Sequence, residues 1–185
     1  MSTMGIPTVV NHCRYRSRLE AKWATFFTML GWKYQYEPYD LNGWIPDFIL
    51  IGKDRDTLVE VKPFSRKEEF REEINKIVKA ITGIPHQQKE ILLLGCSIFP
   101  CETKGKIGWI GLVDEDGCYC EHGWGEIGEV VLNHQFDGWG FISNEGNWTD
   151  RITGINSKHY GTVPYDEALH IWNEAGNLVQ WKATQ

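Results

Sequence analysis

The most constraining feature of the sequence is a pair of short apolar segments that contain charged residues. Asp47 begins the segment DFILI, and the segment TLVEVK ends with Glu60 and Lys62. The polar residues 53–56 between them predict a turn, so the two segments are expected to pair as an antiparallel hairpin. Because side chains alternate along a strand, Glu60 and Lys62 should point to the same face. Two charges on one face of a buried strand cost free energy, so their presence there favours a functional role.

Apolar side chains at three- and four-residue spacing predict a helix on each side of this hairpin. The first helix covers about residues 14–30, with Ser17 as an alternative start. The second covers about residues 65–82, with Ser65 as its predicted N-cap and Glu68 as the partner in a capping box. Short strands are expected at 32–36 and, after the second helix, at 91–94. The resulting order, α-β-β-β-α-β, predicts an α/β fold in which helices cover a mixed sheet.

Residues 101–185 differ in character from residues 1–100, which contain this predicted core. The stretch 105–148 is rich in Gly and Trp and predicts short strands joined by long loops. A final helix is expected from Tyr165 to Glu174. Since no linker composition separates the two parts, residues 101–185 are predicted to be a C-terminal extension that packs on the core.

Three acidic residues and one lysine form the candidate catalytic set. Glu20 lies on the first predicted helix, whereas Asp47, Glu60 and Lys62 lie on the hairpin. Mg²⁺ prefers carboxylate oxygens and keeps several waters, and such an ion polarises a phosphate and activates water. Glu20, Asp47 and Glu60 are therefore candidate metal ligands for Mg²⁺, which Mn²⁺ could replace. Lys62 is the candidate for positioning the attacking water and stabilising charge on the phosphate.

The same residues match a known motif. Pro46-Asp47 corresponds to a PD pair, Glu60-Val61-Lys62 to an E-x-K triplet, and Glu20 in RSRLEAKWATFF to an acid on the preceding helix. About residues 14–95 thus resemble the PD-(D/E)XK nuclease superfamily. They are also similar to small phage and prophage nuclease-like proteins and to the nuclease part of heteromeric transposase endonuclease subunits.

This resemblance implies a restriction-endonuclease-like αβββαβ core and a magnesium-dependent deoxyribonuclease. An endonuclease is favoured over an exonuclease, and a phage or another mobile element is the implied source. The superfamily does not cover residues 101–185, so the resemblance implies nothing about the extension. Substrate choice does not follow from the fold alone.

Several basic or polar residues are candidates for contacts with DNA phosphates. Arg14, Arg16 and Arg18 alternate, and if all three were helical no more than two could share a face. A solvated surface is the competing interpretation for each residue. The chosen candidates are Arg14, Arg18, Lys76, Lys79 and Gln87. The net charge of −6 disfavours indiscriminate binding to nucleic acid, but it is compatible with a site that gathers carboxylates.

The cysteines bear on the compartment and on zinc. Their number is odd, five, and the N-terminus does not resemble a targeting signal, which predicts reduced thiols in a cytoplasm. Neither the pair Cys96 and Cys101 nor the pair Cys118 and Cys120 has the usual spacing of zinc ligands, so free thiols are favoured over structural zinc. No apolar run approaches the roughly 20 residues that span a bilayer, so no membrane association is expected.

A second class of function remains open at this point. The chain could be a catalytically silent binding module with the nuclease fold, acting on a partner protein or a DNA structure. The acidic charge and the aromatic extension fit that alternative, whereas the complete set of Glu20, Asp47, Glu60 and Lys62 favours an enzyme. The tryptophans of the extension could stack on bases, but the filling of a β core is the favoured interpretation. They are Trp109, Trp124, Trp139 and Trp148.

Overall fold

The computed structural model describes residues 5–82, 89–113, 119–120, 127–144, 148–157 and 160–180. The elements in chain order are β1 (Thr8–Val10), β2 (Cys13–Tyr15), α1 (Arg18–Met29), β3 (Lys33–Tyr36), β4 (Phe48–Ile51), β5 (Thr57–Val61), α2 (Arg71–Ile81), β6 (Lys89–Cys101), β7 (Lys104–Val113), β8 (Tyr119–Cys120), β9 (Gly128–Gln135), β10 (Gly138–Ser143) and α3 (Tyr165–Leu178). Across these ranges, no helix has the length and apolar character needed to cross a bilayer.

One mixed sheet organises the fold. Its strand order is β10-β9-β7-β6-β5-β4-β3, with β8 paired to β7, and β1 and β2 form a separate hairpin. Strands β5 and β6 are parallel, with α2 on the connection between them, and the other neighbours in the sheet are antiparallel. The predicted mixed α/β fold is confirmed, and α1 to β6 follow the predicted order α-β-β-β-α-β.

The first helix begins later than the predicted residue 14. Asn11 and His12 adopt positive φ angles of 49° and 64° in a turn, and Cys13–Tyr15 pairs with β1 instead of joining the helix. The alternative start at Ser17 is confirmed, because its side chain accepts a hydrogen bond from the backbone N–H of Glu20.

The second helix also begins later than expected. A short 3₁₀ helix, Lys67–Phe70, precedes α2, and the Glu69 carboxylate accepts hydrogen bonds from the backbone N–H groups of Ser65 and Arg66. The predicted cap at Ser65 with its partner at Glu68 is therefore wrong. The acidic side chain that accepts hydrogen bonds from the preceding backbone is that of Glu69, one residue later.

The extension forms longer strands than its composition predicted, and they continue the same sheet. Glycine permits this because the strands and α3 approach closely. A Cβ on Gly108 would lie 2.2 Å from the carbonyl oxygen of Leu93, and one on Gly105 would lie 2.3 Å from the Cβ of Ala168. The expectation of short strands is thus wrong for β7 and β9, while the final helix is confirmed and runs to Leu178.

Helices cover both faces of the sheet. Side chains from α1 and α3 meet on one face, where the rings of Trp23 and Trp172 lie 4.4 Å apart. Ile77 of α2 packs on the opposite face. Alternation along the strands assigns residues to these two layers: Val59 belongs to the first and Leu58 to the second. Strand β4 contributes to both layers in the same way, with Phe48 in the first and Ile49 in the second.

Candidate active site

The site begins where β4 and β5 separate. Their pairing reaches Phe48 and Val59, and the next hydrogen bond between the two segments is accepted by a side chain. The backbone N–H of Val61 donates to Asp47 Oδ2 at 2.7 Å. The main-chain oxygen of Asp47 instead accepts from the N–H of Glu37, at 3.0 Å. The Asp47 carboxylate is thus fixed at the opening between the two strands, and only 2% of the residue is exposed.

Glu60 and Lys62 meet at the end of β5, as the alternation of strand side chains predicts. Lys62 Nζ donates to Glu60 Oε1, and the indole N–H of Trp44 donates to Glu60 Oε2 at 3.0 Å. The backbone N–H of Lys62 bonds to the carbonyl oxygen of Leu94 at 3.0 Å, which anchors this segment to β6. Both oxygens of the buried Glu60 carboxylate therefore have donors in fixed positions.

Glu20 approaches from α1, on the face of the sheet opposite α2. Its Oε1 accepts from the Ser17 hydroxyl at 2.8 Å, and its Oε2 accepts from the Tyr36 hydroxyl at 2.7 Å. The backbone N–H of Arg16 also donates to Oε2, at 3.2 Å. Glu20 is buried, and its carboxylate connects the start of α1 to β3.

Arg16 connects the acidic groups, although sequence analysis did not select it. Its NH2 nitrogen lies 2.5 Å from Asp47 Oδ1, and its Nε lies 2.9 Å from Glu37 Oε1 and 3.9 Å from Glu20 Oε2. The reasoning from a helical face failed because residue 16 is not helical. It lies between the β1–β2 hairpin and α1, where the chain turns toward the ends of the strands.

Burial and neighbouring charges change the acid–base properties of these groups. Burial, together with the charge of Glu60, raises the pKa of Asp47 to about 7. Burial alone would lower the pKa of Lys62, but the charges of Glu60 and Asp47 outweigh it and raise that pKa. Burial and the bond to Glu20 raise the pKa of Tyr36, so its hydroxyl stays protonated and donates. The site therefore holds a charged lysine beside carboxylates that repel each other.

Sequence analysis predicted Glu20, Asp47 and Glu60 as metal ligands, and in the structure the charge of Glu60 acts on Asp47. Among the described residues, no group of three or more Asp, Glu, His or Cys side chains is arranged to hold a metal ion. Mg²⁺ is often held by one or two carboxylates together with waters and phosphate oxygens, so Asp47 and Glu60 have suitable chemistry. Burial is the main cause of the raised pKa of Asp47, and the charge of Glu60 adds to it. Glu20 instead bonds to Ser17 and Tyr36.

The candidate DNA-contacting residues lie on the surface. Arg14 is exposed on β2, and Arg18 is exposed as the first residue of α1. Lys76 and Lys79 are exposed on α2, where Lys76 Nζ lies 3.0 Å from Glu73 Oε1. Gln87 lies outside the described residues. A contact of the other four with DNA stays a prediction.

The structure describes the side chains of three of the five cysteines and of three of the four tryptophans considered above. Cys13, Cys96 and Cys101 are free thiols, while the side chains of the other two cysteines lie outside the described part of the chain. Trp109 is buried in the α2 layer, as expected for a residue that fills the core. Trp139 is half-buried and stacks on the ring of His134, with 4.2 Å between centroids. Trp148 is half-buried, and Trp124 lies outside the described residues.

Comparison with known proteins identified no relative of this chain. No family model, no curated protein and no solved structure matches the chain. Function is therefore inferred from the contacts of Asp47, Glu60 and Lys62 and from the surroundings of these three side chains.

Proposed function

We propose that the protein is a metal-dependent deoxyribonuclease with a PD-(D/E)XK-type active site. Asp47 and Glu60 would hold Mg²⁺ or Mn²⁺, Lys62 would assist the attacking water, and Glu20 would support the site from α1. The substrate would be DNA, and the protein itself would be encoded by a phage or another mobile element and would act in the cytoplasm of the host cell. An endonuclease is favoured over an exonuclease, on the resemblance of the motif alone.

One observation carries this proposal. Asp47 and Glu60 are buried at the point where β4 and β5 separate, and Lys62 bonds to Glu60 there. Burial of several charged groups is unfavourable unless they are paired, and proteins keep such clusters where charge has a function. The protein groups that surround the three residues fix their orientation, which is what a hydrolytic site requires.

Each residue of the proposed site has a definable task in phosphodiester hydrolysis. A bound divalent cation would polarise the scissile phosphate and increase the acidity of water near it. Lys62, which is positively charged at neutral pH, would orient the attacking water and stabilise the charge that develops on the phosphate oxygens. Trp44 would hold Glu60 in one orientation through the indole N–H. Asp47 would be held in place by the N–H of Val61.

A second candidate is a catalytically silent binding module with the same fold. The supporting observation is that the carboxylates of Glu20, Asp47 and Glu60 all accept hydrogen bonds from protein donors. Such internal pairing would also stabilise a site that has lost its metal. In this alternative, residues 101–185 would contact a partner protein, or the whole surface would bind a DNA structure.

Cleavage of supercoiled plasmid and of end-labelled single-stranded DNA, with Mg²⁺, Mn²⁺ or EDTA, separates these functions. We expect cleavage that requires metal and is reduced by about 10²–10³-fold in Lys62→Ala, the size of effect seen when one stabilising donor is removed. Lys33→Ala is the matched control, because Lys33 is an exposed lysine on the edge strand β3.

The outcomes distinguish an enzyme from a binding module. Equal metal-dependent cleavage by wild type and Lys62→Ala would exclude the proposed site. Cleavage by neither protein, together with no Mn²⁺-induced rise in Tm for wild type, would favour the binding module, because a ligand that binds the folded state must stabilise it. Loss of cleavage in Lys62→Ala but not in Lys33→Ala would support the enzyme.

A further inference from the structure

Arg16 is the one cation that bonds to Asp47 through its side chain among the described residues. Its guanidinium also lies beside Glu37 and Glu20, so three carboxylates surround one end of the side chain. The Arg16 side chain is nevertheless 56% exposed, whereas only 3% of the Asp47 side chain is exposed. The Arg16 side chain is therefore accessible to water, whereas the Asp47 carboxylate is enclosed by the protein.

We propose that Arg16 is an internal counter-ion that competes with the divalent cation for the Asp47 carboxylate. The inference depends on the proposed function, since it assumes a cation at Asp47 and Glu60. Binding of the cation would require the guanidinium to leave Asp47 Oδ1. Arg16 would thus weaken metal binding while stabilising the site when metal is absent.

The two cations of the site differ in a way that assigns this role to Arg16. The Lys62 side chain is 27% exposed and is held between Glu60 and the strand end, so it can remain beside a metal held by Glu60. The Arg16 guanidinium bonds directly to the other proposed ligand. Its charge is permanent, so release depends on competition and not on deprotonation. The apparent metal affinity is then the intrinsic affinity multiplied by the fraction of molecules in which Asp47 is released.

Removal of the charge at residue 16 should therefore tighten metal binding. Free Mn²⁺ would be measured by electron paramagnetic resonance during titration of the full chain at pH 8.0, where Asp47 is ionised. For Arg16→Gln we expect the Kd for Mn²⁺ to fall about tenfold relative to wild type, which corresponds to a pair that is open about one tenth of the time. Arg16→Lys, which keeps a positive charge, should stay within about threefold of wild type.

Two further variants control the measurement. Arg55→Gln removes the same charge from an exposed position in the β4–β5 turn, at the far end of these strands, and should leave the Kd unchanged. Asp47→Asn should abolish the tight site. A general loss of structure cannot explain the expected result, because damage to the site would weaken Mn²⁺ binding, not strengthen it.

The outcomes for Arg16 and for the proposed function are separable. Tighter binding by Arg16→Gln, with Arg55→Gln unchanged, would support the counter-ion role. Equal or weaker binding by Arg16→Gln would overturn it, while loss of the site in Asp47→Asn would still support the metal centre. Absence of Mn²⁺ binding in wild type and in Arg16→Gln would overturn the counter-ion role and the proposed metal centre together.

Discussion

Asp47→Asn should stabilise the metal-free protein at neutral and alkaline pH. The folded state raises the pKa of Asp47 from 3.8 to about 7, so it holds the proton more tightly than the unfolded chain does. The stabilisation from this proton is fully present below about pH 4 and is lost as the pH rises to about 7. Each unit of pKa corresponds to about 1.4 kcal/mol, so above pH 7 the folded state has lost about 4 kcal/mol of this stabilisation.

Asparagine removes the titrating charge but keeps an oxygen for the N–H of Val61. It also removes the pairing with Arg16, whose side chain is more than half exposed, and this pairing is worth about 1 kcal/mol. We therefore expect the metal-free variant to be more stable than wild type by about 2–3 kcal/mol at pH 8 and nearly equal to it at pH 4. Added Mn²⁺ should reduce or reverse the difference at pH 8, because only wild type keeps the site.

Urea unfolding followed by tryptophan fluorescence in EDTA, at intervals from pH 4 to pH 8, tests this expectation. The difference between variant and wild type isolates Asp47, since the other acids titrate in both proteins. Asp56→Asn removes the same charge from the exposed β4–β5 turn and should show no comparable trend. A difference that stays constant with pH, or a variant less stable than wild type at pH 8, would refute the reasoning about buried charge.

Three other variants test the surroundings of the site and its surface. Trp44→Phe keeps an aromatic ring but removes the buried N–H donor to Glu60, so urea unfolding should show a loss of about 2 kcal/mol. Arg151→Met leaves the buried carboxylate of Glu90 without its charged partner, whose NH2 lies 3.0 Å from Oε1, and should reduce the free energy of unfolding by about 3–5 kcal/mol. If Lys79 contacts a phosphate, Lys79→Ala should leave stability unchanged within about 0.5 kcal/mol. DNA binding would be measured by fluorescence anisotropy in Ca²⁺ at several salt concentrations. The slope of log K against the logarithm of the salt concentration should fall in magnitude by about one unit.

The site contains a part that follows from the sequence pattern and a part that does not. Glu60 and Lys62 meet because strand side chains alternate, and this periodicity is visible in the residues themselves. Asp47 takes its place because the hairpin register sets it near the end of β5. In contrast, the donor to Glu60 comes from Trp44, in a loop whose path depends on contacts with α2, such as the bond from Asn42 to the carbonyl of Ala80.

In the extension, too, some features follow from the sequence and others depend on tertiary contacts. Its glycines predict turns when only local conformation is considered. Gly105 and Gly108 lie within β7 because a neighbouring helix and strand approach too closely for a side chain, and such an approach is a property of the folded molecule. Composition therefore identified the change to a Gly- and Trp-rich sequence after residue 100, but it did not predict that the sheet continues there.

The sequence by itself determined the order of helices and strands in the core and the placement of Asp47, Glu60 and Lys62 on one hairpin. These features depend on local periodicity and on one short turn. Tertiary structure decided which groups surround them, because Arg16 reaches Asp47 across 31 positions of chain and Tyr36 reaches Glu20 across 16. Only the packing of α1 and its preceding hairpin against the strand ends brings those groups together, and so determines how charge is balanced at the site.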